Sequence, residues 1–208
     1  MGDDVLFAKE IDSTATIFSL EELRAAYPSA GLSASPSDGA LDRLGFGRVA
    51  VDPEPSGLGQ AATLQGAPTK NKFGRWILGW SLERLPDDEL RELINAERDR
   101  RLATDFAFGK KRYQSKPADI QRITGAATLA GFALGAGSPE GNLRWANANA
   151  DFTWIAQDNT LTPMDAQTCF AFGQTAATHE STHVFAARSL KDAKVIPLDF
   201  TDDKYWPS

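Results

Sequence analysis

Through the first 84 residues the apolar positions come in short runs; beyond them they recur at helical spacing over longer stretches. Val5-Leu6-Phe7 and Ala15-Thr16-Ile17-Phe18 are brief apolar stretches with β-branched residues and predict strands. Ser19-Leu20-Glu21-Glu22 has the form of a capping box, in which Ser19 takes the Glu22 amide while Glu22 reaches back. It opens a helix from Leu20 to about Ala26, stopped before Pro28 because the residue preceding a proline disfavours helical backbone. Ser29 to Gly39, rich in Ser, Pro and Gly, is expected to be a loop. Phe46 to Val51 predicts a strand ended by Pro53 and Pro55. Ala61–Gly66 and Arg75–Leu82 predict hairpin arms joined through Pro68 to Gly74, with Trp76, Leu78 and Trp80 on one face.

A long helix is expected from about Pro86. Asp87, Asp88 and Glu89 suit the positive end of its dipole, and Arg98, Arg100 and Arg101 suit the other. Leu90, Leu93, Ile94 and Glu97 form its narrow apolar stripe, and it reads as a connector between two domains, 1–84 and 85–208. The second domain contains a self-similarity. Asp105-Phe106-Ala107-Phe108 and Pro117-Ala118-Asp119-Ile120-Gln121 recur as Asp151-Phe152-Thr153-Trp154 and Pro163-Met164-Asp165-Ala166-Gln167, offset by 46 residues without a gap. Each copy reads as a hairpin and a helix, turning at Gly109-Lys110 and at Gln157-Asp158-Asn159. The first helix, about Pro117 to Leu134, carries small residues suited to close packing: Gly125, Ala126, Ala127, Ala130, Gly131 and Ala133. The second, about Asp165 to Lys191, presents Ala166, Phe170, Gly173, Ala177, Val184 and Ala187 as its apolar stripe, with Cys169, Phe172, Ala176 and Leu190 at its side. The expected class is therefore α+β. A small strand-rich N-terminal domain with one short helix leads through the connector to two β-hairpin–helix units, read as an internal duplication. The aromatic pair Tyr205-Trp206 near the end is expected to dock, on its own domain or on a partner.

Composition narrows the function classes. The 208 residues are 42% hydrophobic and 24% charged, which is ordinary for a globular chain and excludes disorder. A net charge of −6 argues against coating nucleic acid. The acidic Met1-Gly2-Asp3-Asp4 lacks the regions of a signal peptide, and no apolar run is long enough for a bilayer, so a soluble, non-secreted protein with no membrane partner is expected. Cys169 is the single cysteine, which rules out an intrachain disulfide and a Cys-based zinc cluster.

The sharpest chemical motif is His179-Glu180-Ser181-Thr182-His183, an H-E-x-x-H on a predicted helix that contains the only two histidines. In zinc peptidases such histidines bind the metal from one helix face and the Glu is the general base. Here Ala186 and Ser189 stand where the metzincin continuation needs Gly and His, and 25 residues leave little room for a third ligand on a following helix. The acids further on, Asp199, Asp202 and Asp203, fall in a stretch expected to be irregular, and His183 falls in the apolar register beside Val184 and Ala187. A zinc hydrolase is thus a distant alternative, and no catalytic residue, cofactor site or metal site is assigned. Between Arg98 and Arg122 eight basic residues face three acids, a surface expected to pair with Asp87, Asp88 and Glu89 or with another subunit. Cys169 reads as a small core hydrophobe.

Residues of the second half carry a resemblance. They run from Ile94-Asn95-Ala96-Glu97-Arg98 through Phe108, Tyr113, Ala126-Ala127, Trp154 and Met164-Asp165-Ala166 to Phe172-Gly173, His183-Val184-Phe185-Ala186-Ala187-Arg188 and Leu190-Lys191-Asp192. Across about 90–194 the chain resembles a domain of unknown function found at the C-terminal end of tail proteins in tailed bacteriophages and prophages. The first half is similar, more loosely, to the lead segment of tail-fibre or tail-fibre-assembly proteins, through Tyr27-Pro28, a Phe-Gly strand, a Pro-rich stretch and Trp76 with Trp80. The resemblance implies a non-enzymatic structural component of a phage-like tail, tail fibre, tail tip or baseplate, made in the host cytoplasm and residing in the virion. Its implied partners are further copies of itself, with a trimer the first expectation, and other tail or baseplate proteins; a host receptor is not indicated. An assembly chaperone that leaves before maturation is the alternative.

Overall fold

The computed structural model describes residues 5–207. The chain is mixed α+β and divides into two compact units between Leu85 and Pro86. Among the described residues no helix is long and apolar enough to cross a membrane.

The first unit begins with a hairpin, β1 (Phe7–Ile11) and β2 (Thr14–Phe18). Asp12 and Ser13, at φ 50° and 64°, form its turn; positive φ at both central residues matches the twist of the strands. The capping box forms at Ser19 and Glu22 and starts α1 (Leu20–Ala26). The Ser29–Gly39 segment is not wholly loop. Ser37 caps a second helix, α2 (Asp38–Arg43), which drives Leu41 into the core. Then follow β3 (Gly47–Val51), β4 (Gln60–Leu64), β5 (Thr69–Lys70), β6 (Trp76–Leu78) and β7 (Trp80–Arg84).

The expected hairpin of 61–82 forms but is broken in both arms. β4 pairs with β7, whereas β5 and β6 join a five-stranded sheet of order β2-β1-β3-β6-β5. The break at Gly79 separates Trp76 and Leu78, which are buried, from the half-buried Trp80. Phe7, Leu23, Leu41 and Phe46 form this unit's core, with Phe46 edge-on to Phe18 at 5.2 Å and to Tyr27 at 5.5 Å.

The second unit opens with α3 (Asp87–Leu102), which starts just after Pro86. Leu90, Ile94 and Glu97 are buried as expected, but Leu93 is on the exposed flank. A hairpin, β8 (Phe106–Phe108) and β9 (Lys111–Tyr113), leads into α4 (Pro117–Gly135); a second, β10 (Thr153–Ile155) and β11 (Leu161–Pro163), leads into α5 (Ala166–Lys191).

The hairpin–helix order thus occurs twice, but the gapless 46-residue register does not persist. It holds in the first strand, where Phe106 and Phe152, then Phe108 and Trp154, all pack into one core. It fails at the turn, because five residues separate β10 from β11 and two separate β8 from β9. Pro117 consequently opens α4, whereas Pro163 closes β11 and Asp165 caps α5 through the Thr168 amide.

Phe172 is the hub of this core, within 4.7 Å of Tyr113, 5.2 Å of Phe108, 5.4 Å of Phe106 and 5.5 Å of Trp154. The buried row of α5 is Ala166, Cys169, Phe172, Ala176, His183, Ala187 and Leu190. It is rotated from the expected stripe: Ala177 and Val184 face outward, and Phe170 is partly exposed beside Gly131 of α4. Burial pushes the Cys169 thiol up to about 11, in keeping with an inert core side chain.

Candidate functional site

Three elements and the tail of the second unit enclose a cleft of about 670 Å³ around the histidine pair. α5 supplies one wall, because Thr175, Thr178, His179, Thr182 and His183 recur at one-turn spacing and so lie on one face. The end of α3 supplies Arg100 and Arg101, the first hairpin supplies Asp105, Phe106 and Arg112, and Asp203 and Pro207 close the rim. The tail is held in place by burial of Ile196, Phe200 and Trp206. Trp206 donates to the Phe200 carbonyl at 2.7 Å and lies between the Arg101 guanidinium, 5.1 Å from its centroid, and the His183 ring at 6.4 Å. Trp206 therefore docks on its own domain.

Both histidines are held by packing. His183 is buried, and its Nδ1 lies 2.8 Å from the His179 carbonyl oxygen. A carbonyl only accepts, so Nδ1 carries the hydrogen and Nε2 the lone pair in neutral His183. The His179 ring stacks on Phe106 at 5.8 Å and meets His183 at 4.5 Å, and its Nε2 is buried with no hydrogen-bond partner. Burial, then the charges of His183 and Arg112, hold the His179 imidazole below the ordinary histidine range.

The arginines are organised by carboxylates. Glu97, buried on α3, accepts two bonds from Arg100 and one at 2.6 Å from Arg101. The Arg100 hydrogen bond, with help from Arg101, holds the Glu97 carboxyl below its usual value. Arg101 also donates to the Thr201 carbonyl and to Asp203, both at 2.8 Å, so it fixes the tail to α3. Arg112 donates to the Asp105 carbonyl and lies 3.8 Å from its carboxylate. The ion pairs of the basic stretch thus include acids close in sequence, Glu97, Asp99, Asp105 and Asp119, and Asp203 of the tail.

The two histidines of the H-E-x-x-H lie together, but its glutamate does not join them. Glu180 is exposed and does not line the cleft, and Asp203 is engaged by Arg101. Among the described residues no group of three or more His, Cys, Asp or Glu side chains is placed to hold a metal. The sequence drew attention to the two histidines and, separately, to the basic stretch from Arg98 to Arg122. The threonine row beside the histidines was not singled out, although its one-turn spacing from them is a signal in the sequence; Arg100 and Arg112 reach the cleft only through the folding of α3 and β9 onto α5.

A second surface feature lies outside the cleft. Leu129, Phe132, Ile155, Leu161, Phe185 and Val195 are each at least 60% exposed. Several occur as neighbours: Ile155 and Leu161 are cross-strand partners, and Leu129 and Phe132 are one turn apart.

The comparison with protein families settles where this unit belongs. A family model described as a domain of unknown function, DUF4376, matches residues 86–203. The chain belongs to that family. The match coincides with the second unit and includes the whole histidine-lined cleft apart from Pro207 at its rim. No curated protein and no solved structure matches the chain.

Proposed function

We propose that this DUF4376 protein is a non-enzymatic structural component of a bacteriophage-like tail, acting through protein–protein contacts and present in the particle as a homo-oligomer. The observation that carries the reading is the set of paired apolar side chains left in solvent on the second unit: Leu129 with Phe132, and Ile155 with Leu161. Large apolar groups that neighbour one another at the surface favour burial against another chain, at roughly 25 cal/mol per Å² removed from water. The setting comes from the likeness of residues 90–194 to the terminal domain of phage tail proteins. The strand-rich first unit, joined to a domain whose hydrophobic residues are not all spent internally, suits a part that links two neighbours.

Sedimentation velocity tests the contact mode. The expected result is a discrete oligomer, with three copies as the first arrangement to fit, that dissociates in Phe132→Asp or in Ile155→Asp/Leu161→Asp. A monomer at every concentration would contradict self-assembly.

A further inference from the structure

The cleft around His179 has a polar complement that its own residues do not use. His179 Nε2 is buried without a partner, and a buried nitrogen left unpaired is costly. Arg100 spends Nε and Nη2 on Glu97 but not Nη1. Arg112 spends Nη2 on the Asp105 carbonyl. Both arginines are largely exposed, at 61% and 58% of their side chains, whereas Arg101 is 12% exposed and bonded to Glu97, Thr201 and Asp203. The carboxylates on the rim are engaged as well, Asp203 by Arg101 and Asp105 by Arg112. Thr175, Thr178 and Thr182 each donate to a carbonyl within α5, so their hydroxyl hydrogens are already used.

We propose that this cleft binds an oxyanion, a phosphate or carboxylate group taken by the free guanidinium edges of Arg100 and Arg112, with the His179 ring on the wall beside them. Planar guanidinium groups suit such oxygens because two N–H groups point the same way. The cleft volume, about 670 Å³, exceeds a bare ion and suits an oxyanion carried on a small organic molecule. Two carboxylates face the site, so charge alone does not select the ligand; the guanidinium N–H groups left over from Glu97 and Asp105 do. The proposal does not rest on the tail reading.

Because His179 and His183 are the only histidines, their ring-proton resonances give a direct readout. Inorganic phosphate and, separately, succinate are titrated into the full chain at constant ionic strength held with sodium chloride. The expected result is a saturable shift of the His179 signal and a rise of its pKa with at least one of the two anions. Arg112→Ala should weaken that binding about tenfold or more, with Arg112→Lys in between, while Lys110→Ala leaves it unchanged. Saturation by only one anion identifies the ligand class as phosphate or as carboxylate. Shifts that stay linear in both anions, or saturation unaltered in Arg112→Ala, would overturn the proposal. The His183 signal and the circular-dichroism spectrum establish that each variant is folded.

Discussion

Gly173 on α5 stands against Ala127 on α4 with no space for a side chain between them: a Cβ at 173 would fall 2.2 Å from the Ala127 methyl. The two helices of the second unit meet there because both carry small residues at the contact, and Gly131 continues the seam against Phe170. Gly173→Ala is therefore expected to destabilise the unit by about 1–3 kcal/mol through overpacking. Thermal denaturation of Gly173→Ala, Ala127→Gly and the double variant checks it. The double variant should recover part of the loss, since the two sites share one space; additive losses would place the contact elsewhere.

Glu97 is the charge on which the end of α3 is built. Its carboxyl is depressed in the folded chain, so its contribution is complete above the unfolded value of 4.5 and is lost as pH falls through the lower folded value. Glu97→Ala leaves Arg101, only 12% exposed, without its principal partner and is expected to cost on the order of 3 kcal/mol near neutral pH. Comparing denaturant midpoints of wild type and variant at pH 7 and at pH 3 should show the difference shrinking in acid.

His179 gives a second, milder pH dependence with the same direction. Its folded pKa lies below the ordinary histidine value of 6.5, so the unfolded chain binds the proton first. Stability from this group is present above pH 6.5 and declines as pH falls through the interval between the two values. Thermal midpoints measured between pH 7.5 and 5 should fall in wild type and fall less in His179→Gln. Equal slopes would mean that the imidazole titrates without strain.

The H-E-x-x-H spacing is expected to have no zinc chemistry behind it. Purified protein assayed for peptidase activity with zinc, and again after chelator, should show none in either condition. Chelator-sensitive cleavage that disappears in Glu180→Gln would reverse that expectation.

Much of the fold was legible because local signals were strong. Ser19 with Glu22 marks a helix start by itself, and alternating Phe106 and Phe108 marks a half-buried strand. The buried row of α5 was not legible in the same way. Phe170, Val184 and Phe185 give that helix apolar residues on several sides, so periodicity alone could not choose between adjacent rows; the seam at Gly173 and the aromatic hub at Phe172 decide it. Helix α2 was hidden in a loop-like composition because its signal is brief, a Ser37 cap and one buried Leu41. In the cleft, the histidines and threonines share one helix and could be grouped by spacing. Arg100 and Arg112 could not, since their approach depends on tertiary packing.

We propose that the protein is a built-in part of a phage-like tail. Quantitative mass spectrometry of particles purified from a producing culture tests it most directly. The expected result is the chain in the particle at a copy number comparable with other tail-tip or fibre proteins. Its absence from particles, together with abundance in the lysate bound to a fibre protein, would contradict the account and mark the chain as an assembly factor.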